Sequence, residues 1–448
     1  MPPATSLSHC LSILSQVVPE DAATLVKDLP QEQILQALYA TGSASIRHRK
    51  LPAEQMVWLV IGLSLFRHLP IVQIVDQLGL AVPKGPPVVP SAIHQARARL
   101  GPLPLLWLFD ATAHKWAHQS AKEHAWRGLG VYGVDGTTMR VADSEQNREY
   151  FGGTQTDRGK SGYPLCRLVA LMALRSHLLA AAAFGPYETG ELGYAEGLWD
   201  QLPDFSLLIG DRGFVSAWLM WMLQSAGKQR HWLIRGKKNL KVRTVRQLGS
   251  GDELVEMKVS REARKKHPEL PTVLMCRRIT YQRKGYRPQT LLTSLVEPTA
   301  YPKKDIVELY HERWELELGY DELKTQMLDR EETLRSQSPE LVEQELWGTL
   351  LSYNLVRLEM ERLAGVMGVE PVQLSFSGTL MMLLQMWQLM SLRYPGSIVK
   401  IMRSVEAQMQ RLLLPPRRSH RVYPRAVKIK MSNYARKRPG SPTKAVLN

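Results

Sequence analysis

The chain has 448 residues, 44% of them apolar, and 58 Lys and Arg against 42 Asp and Glu, a formal net charge of +16. That length has room for two or three domains with substantial cores, and the cationic surplus favours a polyanionic partner, nucleic acid ahead of an acidic membrane surface. The scattered Cys10, Cys166 and Cys276 argue against a disulfide framework or a CxxC zinc site, and no apolar run is long and uncharged enough to span a bilayer.

The N-terminus MPPATSLSHC has no charged leader ahead of an apolar stretch, so a cytoplasmic protein is expected. Residues 1 to about 125 read as helical. LPAEQMVWLVIGLSLF spaces its apolar residues at helical intervals, and IVQIVDQLGL follows a break at Leu69-Pro70. The Pro-rich VPKGPPVVP then leads to SAIHQARARLG, with Ser91 as the expected N-cap and Gly101 as the stop. That short helix sets His94, Gln95, Arg97 and Arg99 around an apolar side of Ile93, Ala96 and Leu100. Two helices followed by a basic one have the form of a helix-turn-helix reader of double-stranded DNA, with those four residues as its contacts. A helical bundle with a basic surface has the same pattern.

From about 128 to 236 the pattern changes. LGVYGVDGTTM, LCRLVALMAL and HLLAAAAFGP read as successive strands, GYAEGLWDQL as a helix and FSLLIGD as a buried strand. SAWLMWMLQSAGK is then a helix and HWLIRGK a last strand, an α/β order like that of a ribonuclease-H-like core. Asp135 lies inside the first strand, where a lone carboxylate is costly without a partner. It reads as a metal ligand or as a cap on the turn at Gly136. Asp211, after the apolar LLIG, reads as a ligand or a turn starter. Arg212 beside it either contacts a phosphate or neutralises an acidic pocket.

Between about 238 and 298, DELVEMKVS, TVLMCRRITYQ and PQTLLTSL alternate as strands, separated by the basic turns REARKKHPE and RKGY. This stretch reads as a β-rich insertion, cationic enough to lie along DNA. YHERWELELGYDELK follows as a helix. At 100° per residue Tyr310, Arg313, Glu317 and Lys324 fall at roughly 0°, 300°, 340° and 320°, an arc of about 60°. Such a stripe suits a phosphate beside a metal ion: a fork and a point charge for phosphate oxygens, a hard oxygen for the cation. It also suits a solvated helix in which Arg313 and Glu317 pair at i, i+4. Of the neighbouring acids Glu312, Glu315, Asp321 and Glu322, only Asp321 shares the face of Glu317. Beyond 338 two long apolar-rich helices are expected, and from Pro415 onward a Pro-interrupted cationic tail able to neutralise phosphates.

The spacing Tyr-(2)-Arg-(3)-Glu-(6)-Lys, preceded in order by VYGVDGTTM and LLIGDRGF, resembles the transposases of the insertion sequence 4 family over about residues 30 to 430. The resemblance implies a ribonuclease-H-like core with a β-rich insertion, flanked by helical N-terminal and C-terminal regions. Its parts would be an N-terminal DNA-binding domain (1–125), a catalytic core (126–237 and 299–335), the insertion (238–298), a helical C-terminal region (336–414) and a basic tail (415–448). It implies a catalytic and metal-binding triad of Asp135, Asp211 and Glu317, holding two Mg²⁺ ions, or Mn²⁺ in their place. Tyr310, Arg313, Lys324 and Arg212 would contact DNA. The partners would be element terminal repeats and target DNA, bound by a homodimer in a synaptic complex in the bacterial nucleoid. Nicking, hairpin formation by the freed 3′ hydroxyl, reopening and joining to target would follow. Some relatives place a Trp in the last insertion strand to stack on a flipped base; RPQTLLTS has none, and Tyr286 is a candidate substitute. An inactive DNA-binding derivative of a transposase and a ribonuclease-H-like nuclease are the alternatives.

Overall fold

The computed structural model describes residues 28–44, 51–78, 80, 88–156, 159–160, 162–237, 242–283, 287–328, 333–391 and 410–415. Among the described residues five helices come first: α1 (Gln31–Ala40), α2 (Ala53–Leu65), α3 (Ile71–Gln77), α4 (Pro90–Leu100) and α5 (Leu103–Glu123). Then come β1 (Gly130–Arg140), α6 (Glu145–Phe151), β2 (Leu165–Ala173), β3 (Leu179–Pro186), α7 (Glu191–Ala195), β4 (Ser206–Gly210), α8 (Ala217–Ser225) and β5 (Arg230–Arg235). The next stretch holds β6 (Val242–Gly249), β7 (Asp252–Lys258), α9 (Arg261–Lys266), β8 (Val273–Tyr281) and β9 (Gln289–Thr293). Helices α10 (Lys303–Tyr310), α11 (Trp314–Asp321), α12 (Pro339–Met367) and α13 (Phe376–Ser391) follow.

One nine-stranded sheet organises these elements, in the order β3-β2-β1-β4-β5-β9-β8-β7-β6. β1 pairs antiparallel with β2 and parallel with β4, and β4 pairs parallel with β5. The first five strands are therefore a ribonuclease-H-like core, with the strand order read from the sequence; α6, between β1 and β2, was expected as loop. The stretch expected as an insertion joins that core by main-chain pairing. β9 lies antiparallel to β5, with Ile234 opposite Leu292, and β8, β7 and β6 continue outward. β6, which sequence reasoning missed, is a mostly exposed edge strand. Its charged residues are typical of edges that must not pair with other chains. The basic turn expected at REARKK is instead α9, capped by the Ser260 hydroxyl accepting from the Ala263 N–H.

Helices from the N-terminal and C-terminal regions pack on each other. α12 is buried along much of its length and lies against α2 and α5. Gly348 lets it approach α2 closely, since a Cβ there would stand 2.5 Å from the Val60 side chain. The Ser352 hydroxyl donates to the Ile61 carbonyl at 3.0 Å. At the start of α4 the cap position is Val89, with Pro90 in the first turn, so the expected cap at Ser91 is not formed. Among the described residues no helix is long and apolar enough to cross a membrane.

Candidate active site

Two acidic residues stand next to each other where β4 ends beside the middle of β1. Val134 of β1 is paired with Gly210 of β4 in parallel register, so Asp135 and Asp211 each come one residue later on neighbouring strands. Asp135 Oδ1 accepts from the Gly136 N–H at 2.8 Å, and Asp211 Oδ1 accepts from the Gly213 N–H at 2.6 Å. Asp211 thus caps the short 3₁₀ turn Arg212–Phe214, whereas Asp135 bonds inside β1, where the turn expected at Gly136 does not occur. Burial pushes the Asp135 carboxyl up to about 6, against the Gly136 N–H; the charges of Asp211 and Glu191 push the same way and Arg313 opposes them.

The third acid arrives on a helix laid along β1. Leu316 rests on Gly133, where a Cβ would stand 2.6 Å from the leucine side chain. The Tyr320 hydroxyl reaches the Asp135 carbonyl, and Lys324 Nζ donates to Thr137 Oγ1 at 3.3 Å. This segment is not the uniform α-helix assumed for the wheel. Residues 311–313 form a 3₁₀ turn and Glu322–Met327 a π-helix, so the 60° arc does not describe it. Tyr310 is buried, and burial pushes its phenol up to about 12. Arg313 Nη2 donates to Glu317 Oε1 at 2.9 Å, the i, i+4 pair that the solvated-helix reading expected.

The neighbouring acids are engaged elsewhere. Glu312 accepts two bonds from Arg175, at 2.9 and 2.8 Å. Glu315 and Glu322 flank the buried His177, whose ring nitrogens lie 3.0 and 3.1 Å from them. Burial opposes charge on Glu322, but Arg357, His177 and Tyr353 outweigh it and hold the carboxyl down to about 2. Asp321 accepts from Gln326 at 3.2 Å.

Whether the three candidate acids suit a divalent cation is decided by donor chemistry and mobility. Carboxylate oxygens are the donors a hard cation takes, and Asp135 beside Asp211 is a pair whose repulsion a cation relieves. Among the described residues, however, no three acidic or histidine side chains are gathered into a metal-holding cluster. Glu317 is turned to Arg313 instead. Its side chain is 42% exposed while that of Arg313 is 16% exposed, so Glu317 is free to turn away, provided the half-buried guanidinium gains another anion.

The predicted DNA contacts divide. His94, Gln95 and Arg99 are exposed on α4. Arg97 corrects the sequence reading: it is buried, with Nε donating to Gln344 at 2.9 Å and Nη2 to Ser336 at 3.0 Å and to the Leu341 carbonyl at 3.3 Å. It anchors α4 to α12 and presents no guanidinium to solvent. Arg212 lines a cavity of about 190 Å³ with Arg235, Lys237, Arg278 and Gln289, a basic hollow between core and insertion strands. Tyr286 and nearly all of the cationic tail lie outside the described residues. Sequence reasoning missed Tyr320, although one helical turn separates it from Glu317.

Comparisons with known proteins identify the family of the chain. Residues 19–110 match the family described as insertion element 4 transposase N-terminal, and residues 126–355 match the transposase DDE domain. The chain is 40% identical over 420 residues to the transposase InsG for insertion sequence element IS4 of Escherichia coli, covering 93% of each protein. It is 34% identical over 226 residues to the putative transposase InsZ of Escherichia coli, covering 50% of this chain and 74% of that one. A solved piggyBac transposase synaptic complex with hairpin DNA aligns with a TM-score of 0.39 and 11% identity, over 92% of this chain and 86% of that chain.

Proposed function

Because this chain belongs to the insertion sequence 4 family of DDE transposases, we propose that Asp135, Asp211 and Glu317 are the carboxylates of its metal-dependent DNA cleavage and strand transfer. The observation that carries the assignment is the parallel pairing of Val134 with Gly210, which sets two acids side by side. The helix bearing Glu317 lies over the same strand. Bound among these oxygens, two Mg²⁺ or Mn²⁺ ions would supply an activated attacking oxygen and a neutralised leaving oxygen.

The chain's own residues do the positioning. Arg313 leaves Glu317 for a DNA phosphate, exchanging one carboxylate for a better bidentate partner and freeing Glu317 to turn to the aspartates. Lys324 and Arg212 hold neighbouring phosphates, and Tyr310, buried at the end of α10 three residues before Arg313, stiffens that grip. The set serves nicking at an element end and attack of the freed 3′ hydroxyl on target DNA, both in-line displacements at phosphorus. Two copies of the chain would hold the paired ends, with His94, Gln95 and Arg99 on the flanking duplex.

Incubating a linear element-end duplex with Mg²⁺ and resolving the strands on a denaturing gel tests the assignment. Asp135→Asn, Asp211→Asn and Glu317→Gln should each abolish nicking and leave duplex binding nearly intact. Normal cleavage by any one of them removes that residue from the triad. Arg313→Ala should weaken end-complex assembly in a gel shift by about tenfold or more, and Trp314→Phe should have little effect. Equal, negligible changes would return Arg313 and Glu317 to a surface ion pair.

A further inference from the structure

Tyr320 is three residues after Glu317 on α11, and its ring is buried against the sheet. Its hydroxyl donates to the Asp135 carbonyl oxygen at 2.6 Å and accepts from the Ala170 N–H at 3.2 Å. Asp135 and Ala170 face each other across the β1–β2 ladder. The phenol therefore enters the sheet at the rung that carries one acid of the site, and it comes from the helix that carries another. Burial, with the Asp135 charge behind it, holds this hydroxyl well above the usual phenol range, so it remains a donor.

We propose that Tyr320 is a positioning residue that sets the distance between Asp135 and Glu317, and through it the affinity of the site for its divalent cation. This rests on the triad reading above. The other links between α11 and β1 near the site do not have the same power. Leu316 on Gly133 is apolar contact without direction, and Lys324 to Thr137 is a longer bond from a residue that the DNA claims. The Arg313–Glu317 pair lies within one segment and says nothing of its distance from the strand. A bond to the Asp135 main chain fixes the residue itself and leaves its carboxylate free for a cation. Outer-shell bonds of this kind commonly govern metal affinity by 10–100-fold.

The test is Tyr320→Phe in the full chain, which keeps the ring and removes one oxygen. The Ala170 N–H and Asp135 carbonyl can then bond directly, so the sheet survives while Asp135 shifts relative to α11. Mn²⁺ binding without DNA is measured by calorimetry, end-duplex binding by gel shift, and single-turnover cleavage across a range of Mn²⁺ concentrations. The expected result is unchanged duplex binding, with both the Mn²⁺ dissociation constant and the Mn²⁺ requirement for cleavage raised about tenfold. Introducing 4-aminophenylalanine at position 320, which restores a donor on the same ring, should recover much of that loss. Native Mn²⁺ binding by the phenylalanine chain overturns the proposal, as does equal loss of folding, duplex binding and cleavage in both altered chains. If only the phenylalanine chain fails to fold, the amine chain decides: native-like Mn²⁺ binding supports the proposal, and binding no better than that of Asp135→Asn overturns it. Asp135→Asn in parallel separates the layers. Mn²⁺ binding and cleavage retained there sink the triad; their loss there, with Tyr320→Phe normal, sinks only the role of Tyr320.

Discussion

Burial and the neighbouring Asp211 raise the Asp135 carboxyl to about 6, so across an interval the folded chain keeps a proton that the unfolded chain has released. That interval runs from the ordinary aspartate value, near 4, up to about 6. Within it the unfolded state binds fewer protons, so folding stability falls as pH rises and levels off above the folded value. At pH 7.5 without divalent cation, Asp135→Asn should therefore melt at a higher temperature than the native chain, and the gap should close below about pH 4. Added Mn²⁺ should raise the melting temperature of the native chain and not that of the variant. An asparagine chain less stable at pH 7.5 would mean that the carboxylate is compensated in a way these contacts do not provide. Asp135 and Asp211 stood out in the sequence because one interrupts an apolar strand and the other directly follows one, and strand pairing sets them side by side. The burial of Arg97 did not: a helical wheel shows that it borders an apolar face, but its partner Gln344 lies 247 residues further along the chain.

At the level of elements, the seating of α11 on β1 depends on missing side chains. A methyl at Gly133 would stand 2.6 Å from both Leu174 and Leu316, and one at Gly319 would stand 2.5 Å from the end of Met172. Branched leucines held from two sides yield less readily than a thioether tip. Gly133→Ala should therefore cost roughly 1–3 kcal/mol by overpacking, and Gly319→Ala should be close to neutral because helix propensity offsets its clash. Thermal or denaturant melts check the order, and its reversal would mean that α11 is not held where the contacts put it. The Tyr-Arg-Glu-Lys stripe was legible as spacing and misjudged as geometry. A wheel assumes one uniform helix, while Glu322 is drawn inward to His177, Tyr353 and Arg357 and the backbone widens into a π-turn beside it. The strands β7 to β9 were readable from alternation. β6 was not, because an edge strand exposed on both faces lacks the period-2 apolar signal.

Across the whole molecule, α12 joins the described N-terminal helices into one helical layer, and surface and anchor can be told apart by measurement. Arg97→Ala should lower stability by about 2–4 kcal/mol, because it leaves the buried Gln344 Oε1 without its donor and takes one bond each from Ser336 and the Leu341 carbonyl. Arg99→Ala, at an exposed position, should leave the melting temperature alone and lower the salt dependence of duplex binding by about one unit of slope. If the two variants exchanged these behaviours, α4 would be turned over relative to this fold. The continuity of the sheet carries one last consequence. Excising residues 238–298 to make a minimal nuclease would not trim an appendage: it would strip β9 from β5 and bare the ladder along Leu233 and Ile234. Such a shortened protein should stick to itself through that raw seam, and any engineered miniature must first find the orphaned strand a new neighbour.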